Sequence, residues 1–324
     1  MPTTRTFLLG LLGFSLLAAG AAWAMAHGTA DALRPWLADL LGKRVAGRFF
    51  TQTNLLIGTM LVAVPLQIWI PAVKRRPKLL TREVLTDLLY WYQSMGLQLL
   101  SFYVALKAAN GFVWPSSGIW IPAVATLPFA VQVILALWLK DFVVYWRHRA
   151  EHRFLPLWAF HAVHHSTKHV DPLTTARLHP MELFWGGILA VVVTKIGFNA
   201  EAAALAMTIY LSCNLFIHMN IKIRMPGFLK YVFVSPFMHQ WHHAVDPATI
   251  AKNTGVVFAW NDWLFGSIYH PDHWPTSFGI DAPPEEQIPP ANVLAHLVYP
   301  VKLLRARARA ALARRAAAAS VPAE

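Results

Sequence analysis

The stretch GIWIPAVATLPFAVQVILALWLKDFVVYWRHRAEH, residues 118–152, decides how this chain is read. Residues 118–139 carry no charge and are long enough to span a bilayer as a helix. Beyond Leu139 neither Gly nor Pro interrupts the run before Lys140-Asp141 and the pair His148-x3-His152. A helix that leaves an apolar environment and ends in two histidines on one face presents ready-made metal ligands at its end.

Working outward, residues 7–26 and 55–73 form two further uncharged runs, and residues 84–109 a weaker one interrupted by Asp87, Gln93, Gln98 and Lys107. With 56% hydrophobic and 14% charged residues among 324, the chain reads as an all-α integral membrane protein with about four transmembrane helices. The run 7–26 also has the form of a signal peptide, with Arg5 ahead of it and Ala24-Met25-Ala26 as a cleavage pattern, but its length favours a retained first helix. Downstream, residues 183–198 and 200–217 are two apolar stretches that read as a transmembrane hairpin or a shallow re-entrant pair. The expected organisation is transmembrane helices over 1–147, a cap with the first two histidine clusters over 148–182, a membrane hairpin over 183–218, a cap with the third cluster over 219–290, and a basic tail over 291–324.

Orientation follows from the cations. Lys74, Arg75, Arg76, Lys78 and Arg82 follow the second run and Arg147, Arg149 and Arg153 the fourth, which puts the histidine clusters on the cytoplasmic face. Arg34, Lys43, Arg44 and Arg48 run against that assignment. The net charge of +12 sits beside the spans and in the tail, not in a soluble basic domain, so anionic lipid is the expected partner and nucleic acid is not. Lys302, Arg305, Arg307, Arg309, Arg314 and Arg315, interleaved with Val301, Leu303, Leu304 and Leu312, read either as a basic helix on the membrane face or as a solvated helical tail. Cys213 is the only cysteine, so no internal disulfide forms, and any metal must be held by nitrogen and oxygen.

Two longer clusters accompany His148 and His152: His161-x2-His164-His165 and His239-x2-His242-His243. Adjacent residues on a helix diverge by about 100°, so each adjacent pair has members able to lean toward different ions. Eight imidazoles exceed what one ion accepts while leaving room for substrate, and two metals are the economical reading. His270 and His273 fall in a Pro-rich stretch and read as loop residues. The segment His148-Arg-Ala-Glu151-His152 also matches the inverted zinc-protease pattern, and a histidine-lined metal transporter is a further alternative; both leave most of the cluster histidines unexplained or misplaced.

The three clusters resemble the histidine boxes of the fatty acid hydroxylase and sterol desaturase superfamily of integral membrane di-iron enzymes. The resemblance runs from about residue 141 to 271. It includes Asp141 seven residues before His148, the stretch Arg177-Leu-His179-Pro180-Met-Glu182, His218-Met-Asn220, Lys252-Asn253-Thr254-Gly255, and Trp263-Leu264-Phe265-Gly266 shifted by one residue from the family's spacing. It implies two non-haem irons, bound O2, and hydroxylation or desaturation of a C–H bond in a lipid such as a sterol, terpenoid or fatty acyl chain. Iron suits an imidazole-rich set, although zinc and copper compete for the same nitrogens. On this reading His148, His152, His161, His164, His165, His239, His242 and His243 are ligands, and His179 and His218 are further candidates. Asp141, on the stripe of His148, is expected to accept the second ring N–H of a ligating histidine or to pair with Lys140 or Arg147. No haem-binding segment or Gly-rich dinucleotide motif is recognisable, so an external ferredoxin or cytochrome with its reductase is the expected electron donor. The expected location is a multi-pass position in a membrane, the bacterial inner membrane, with the active site on the cytoplasmic face.

Overall fold

A computed structural model describes residues 43–73, 81–108, 121–283 and 286–319. The principal helices are α1 (Lys43–Trp69), α2 (Arg82–Ala108), α3 (Phe129–Arg153), α4 (Leu155–His165), α5 (Pro180–Ile196) and α6 (Ala200–Ile217). The short α7 (Leu229–Val232), α8 (Pro236–His242) and α9 (Trp260–Leu264) follow, and then α10 (Val293–Ala319). Among the described residues there is no strand, only the isolated bridges Phe233–Phe258 and Ala244–Phe278.

Local chemistry sets the boundaries. Helix α3 begins after Pro128 and ends at Phe154, one extended residue that separates it from α4, where Pro156 lies in the first turn and its missing N–H is harmless. Helix α5 opens on a capping box in which His179 and Glu182 satisfy each other's backbone donors, and closes on Gly197 at φ 113°, a left-handed position suited to glycine. Asn199 then caps α6 by accepting from Glu201 N, so three residues, Gly197 to Asn199, reverse the chain. Ser235 caps α8 in the same way through Met238 N, with Pro236 in the first turn.

Three packed clusters hold these pieces. Helix α3 lies along α6, with Val133, Ala136, Leu137 and Val144 against Ala202, Ala206, Phe237 and Trp241. Helix α2 lies along α5, and its Tyr90 and Trp91 meet Val163 of α4 and Leu173. Helix α10 seals the outer side of α4 through Tyr299 and Leu303 against Ala159 and Ala162. Leu303 therefore turns into the protein and does not contribute to a membrane-facing stripe.

Among the described residues two helices are long and apolar enough to cross a bilayer, α3 and α6. The run 7–26 lies outside the described residues. The run 84–109 forms α2, and its interrupting Asp87 is fully buried in an ion pair with Arg177 at 2.6 Å, so that face of α2 packs against protein. Arg177 also donates to Ser166 Oγ and the Pro290 carbonyl, which ties α2, the second histidine cluster and the chain entering α10 at one point. His296 is fully buried and shares a hydrogen bond with the Tyr90 hydroxyl, a packing role away from the other histidines.

Candidate metal centre

The ends of α3, α4, α6 and α8 bring nine histidines into two groups. His148, His152, His161, His165 and His242 form one, and His164, His218, His239 and His243 the other, each with a set of potential ligand atoms within 4.8 Å of one another. The adjacent pairs divide between the groups: His165 and His242 enter the first, and His164 and His243 the second. This is the divergence that a helix imposes on neighbouring residues.

In the five-histidine group every Nε2 is buried and has no hydrogen-bond partner among the described residues. Several opposite ring nitrogens are committed. His148 Nδ1–H donates to the Thr254 carbonyl at 2.9 Å, His242 Nδ1–H to the Lys252 carbonyl at 2.9 Å, and His161 Nδ1–H to Glu182 Oε2 at 2.8 Å. Each donation leaves a lone pair on Nε2 facing the group's centre, the arrangement that prepares an imidazole for a cation. Buried polar atoms are normally paired, so five converging unpaired nitrogens point to an ion as their partner.

The four-histidine group is tighter. His218 Nε2 lies 2.9 Å from His239 Nε2 and 3.3 Å from His164 Nε2, and His243 Nε2 lies 3.1 Å from His239 Nε2. Imidazole nitrogens bound at about 2.0–2.1 Å with angles of about 90–109° stand about 2.9–3.4 Å apart, so these separations match two ligands on one ion. His218 Nδ1–H donates to the Asn214 carbonyl at 2.7 Å, which again leaves Nε2 as the ligand atom.

Burial, followed by the neighbouring imidazoles, holds His161, His165, His239 and His243 well below the ordinary histidine range, and His164 is lowered chiefly by burial and by His218. Burial brings His242 down to about 4. All are neutral at pH 7, the form that binds a metal. The donor set fits an imidazole-seeking transition metal, with oxygen donors kept to the periphery.

The structure separates the remaining sequence expectations. It brings His218 into the four-histidine group, but not His179 into either. The His179 Nδ1 accepts from Met181 N at the start of α5, and its Nε2 faces the Leu297 carbonyl at 3.4 Å, so one ring nitrogen caps α5 and the other joins it to α10. Asp141 does not touch a histidine, Lys140 or Arg147. Its carboxylate accepts from Val256, Val257 and Phe258 N and from Asn261 Nδ2, at 2.9–3.2 Å. It thereby pins the loop that carries the Thr254 carbonyl, the partner of His148 Nδ1. Asp262 braces the loop from the other side by accepting from Thr254 N and Gly255 N.

Sequence reasoning quoted Glu182 within a motif but gave it no task; its spacing of three from His179 is a capping-box signature. The carbonyls of Asn214, Lys252 and Thr254 have no side-chain signature at all. Glu151, the base required by the protease alternative, sits 3.6 Å from His161 Nδ1 and 3.5 Å from Arg147, behind His161 and away from the converging Nε2 atoms.

Residues 133–267 match the fatty acid hydroxylase family. An ornithine lipid hydroxylase from Rhizobium tropici is 31% identical over 149 residues, 44% of this chain and 44% of that protein. A Delta(7)-sterol-C5(6)-desaturase from Nicotiana tabacum is 23% identical over 189 residues, 55% and 66% of the two chains, and an alkylglycerol monooxygenase from Danio rerio is 29% identical over 148 residues, 44% and 31%. The alignments thus span less than two thirds of each of these curated relatives. No solved structure matches significantly. The matched segment contains all nine converging histidines, so the likeness to the fatty acid hydroxylase family falls on the part of the chain that builds both groups.

Proposed function

We propose that this chain is a membrane-bound oxidoreductase that holds two non-haem irons and uses O2 to hydroxylate, or alternatively desaturate, a C–H bond of a lipid. The observation that carries the reading is the pair of buried imidazole groups, with Nε2 atoms converging and opposite nitrogens tied to carbonyls or a carboxylate. His148, His152, His161, His165 and His242 would hold one iron, and His164, His218, His239 and His243 the other. When bound, the irons supply O2 activation and an oxidant strong enough for an unactivated C–H bond, provided reducing electrons arrive from outside.

The chain's own part is positional. Glu182 and the three carbonyls fix ring tautomers and orientations before any metal arrives, which removes the cost of arranging ligands on binding. Burial among α3, α4, α6 and α8 keeps bulk water from the nitrogens. Outside the matched relatives' own activities, the choice of lipid rests on the length and apolar composition of α3 and α6. The proposal includes about four transmembrane helices with the hairpin, a cytoplasmic site in a bacterial inner membrane, and a separate ferredoxin or cytochrome with its reductase.

The test is metal analysis of the purified chain together with mass spectrometry of lipids from cells with and without it. Two irons per chain and a lipid changed by one oxygen or two hydrogens, dependent on O2, is the expected result. A single zinc with peptide cleavage that Glu151→Gln abolishes, or metal uptake by vesicles without oxygen consumption, refutes it.

A further inference from the structure

Helix α10 has two apolar faces, and the described residues cover only one. His296, Tyr299 and Leu303 are buried against α2, α4 and the 286–290 segment, and Arg307 is committed to Glu286 Oε2 at 2.6 Å. On the other side Leu294, Val298, Val301 and Leu312 are 75%, 47%, 51% and 64% exposed. Val301 and Leu312 follow Leu294 by seven and eighteen residues, both close to whole turns at about 3.6 residues each, so they share one direction. Lys302, Arg305 and Arg309 lie along the same exposed side, and no acidic residue occurs anywhere in Val293–Ala319.

The geometry points to an anionic bilayer surface as the occupant of this face. A surface helix in that setting sinks its apolar stripe to the headgroup boundary, while flanking Lys and Arg stems reach up to lipid phosphates. Charge selects the occupant: a second copy of α10 would set like-charged faces together, because the stripe and its cations belong to one patch. The helix also carries the closing side of α4, through Tyr299 and Leu303, so lipid contact on one face and the histidine-bearing helix on the other meet in a single element.

The proposal is independent of metal content and of the chemistry assigned above. The full chain with Cys213→Ser and Val298→Cys, labelled with an environment-sensitive dye, is reconstituted into vesicles of phosphatidylcholine alone or with added phosphatidylglycerol. A blue-shifted dye quenched by lipid-borne spin labels only when phosphatidylglycerol is present is the expected result. Raising salt reverses it, because exposed charges are screened. Replacing Lys302, Arg305 and Arg309 together by Gln lowers the ratio of docked to undocked helix on the order of 100-fold, from about one factor of five per cation. Equal insertion in both lipids overturns the proposal. So does a dye that stays solvent-exposed in both, or one shielded in detergent by a dimer.

Discussion

Replacing Asp141 by Asn tests how a residue that touches no histidine governs the five-histidine group. Asp141 is fully buried, and Oδ1 accepts from Val256 N and Val257 N while Oδ2 accepts from Phe258 N and Asn261 Nδ2. All four partners are donors, so neither orientation of an amide satisfies them. One pair keeps its acceptor, and the other meets an NH2 group. Two hydrogen bonds to a charged acceptor are lost, at roughly 1.5–3 kcal/mol each, so destabilisation of about 3–6 kcal/mol is expected. At about 2 °C per kcal/mol for a chain of this size, the melting temperature falls by roughly 6–12 °C. The loop then releases the Thr254 carbonyl from His148 Nδ1, and the affinity of the five-histidine group for metal falls by about 10–100-fold. Thermal melting followed by dye binding, and competitive metal titration against a chelator, read the two effects. A variant that melts within about 2 °C of the parent and titrates identically refutes the reasoning, because that shift corresponds to less than one lost hydrogen bond.

Glu182→Gln replaces the carboxyl group that meets His161 Nδ1, and titration should show about a 10–100-fold loss of metal affinity in the five-histidine group, with a smaller loss in the four-histidine group that shares its helix ends. His218→Ala should lower the bound metal, whereas His179→Ala should leave it unchanged and cost about 1 kcal/mol through the lost helix cap, as metal analysis and melting would show. Gly255→Ala should destabilise, since its Cβ would stand 2.9 Å from Asp262 Oδ2 and 3.1 Å from the Phe258 carbonyl; a melting temperature equal to the parent's would contradict this. For the metal-free chain, burial holds His242 at about 4 against about 6.5 in an unfolded chain, so its contribution to stability is full above 6.5 and disappears as pH falls from there toward 4. Melting temperatures across that window should therefore drop on acidification, and a flat profile would contradict the assigned neutrality.

The histidine groups were legible because their spacing is a property of a helix alone: His161, His164 and His165 are within one turn or so of each other, and helical phase divides the last two. The meeting of distant segments was legible only through family resemblance, since nothing local tells α8 to approach α4. Two assignments went astray for related reasons. Asp141 shares a stripe with His148, but its partner is a loop more than one hundred residues downstream, and backbone N–H groups leave no mark in a sequence. His179 has the residue type of a ligand, yet the Pro after it and Glu182 signal a helix start, and that local use prevailed. Helix α2 shows the same limit for topology: its apolar composition does not reveal that Asp87 is answered by Arg177 inside the protein.

His164 and His165 are neighbours on one turn of α4, and His242 and His243 at the end of α8, yet each pair serves both groups. A cation that tightens one member of a pair also settles the backbone beneath the other. With two ions, as proposed, loading would be a joint event: the first to arrive would prepare the second berth, and stripping either one would loosen its neighbour. Partly filled molecules should be scarce at equilibrium, with chains either empty or complete.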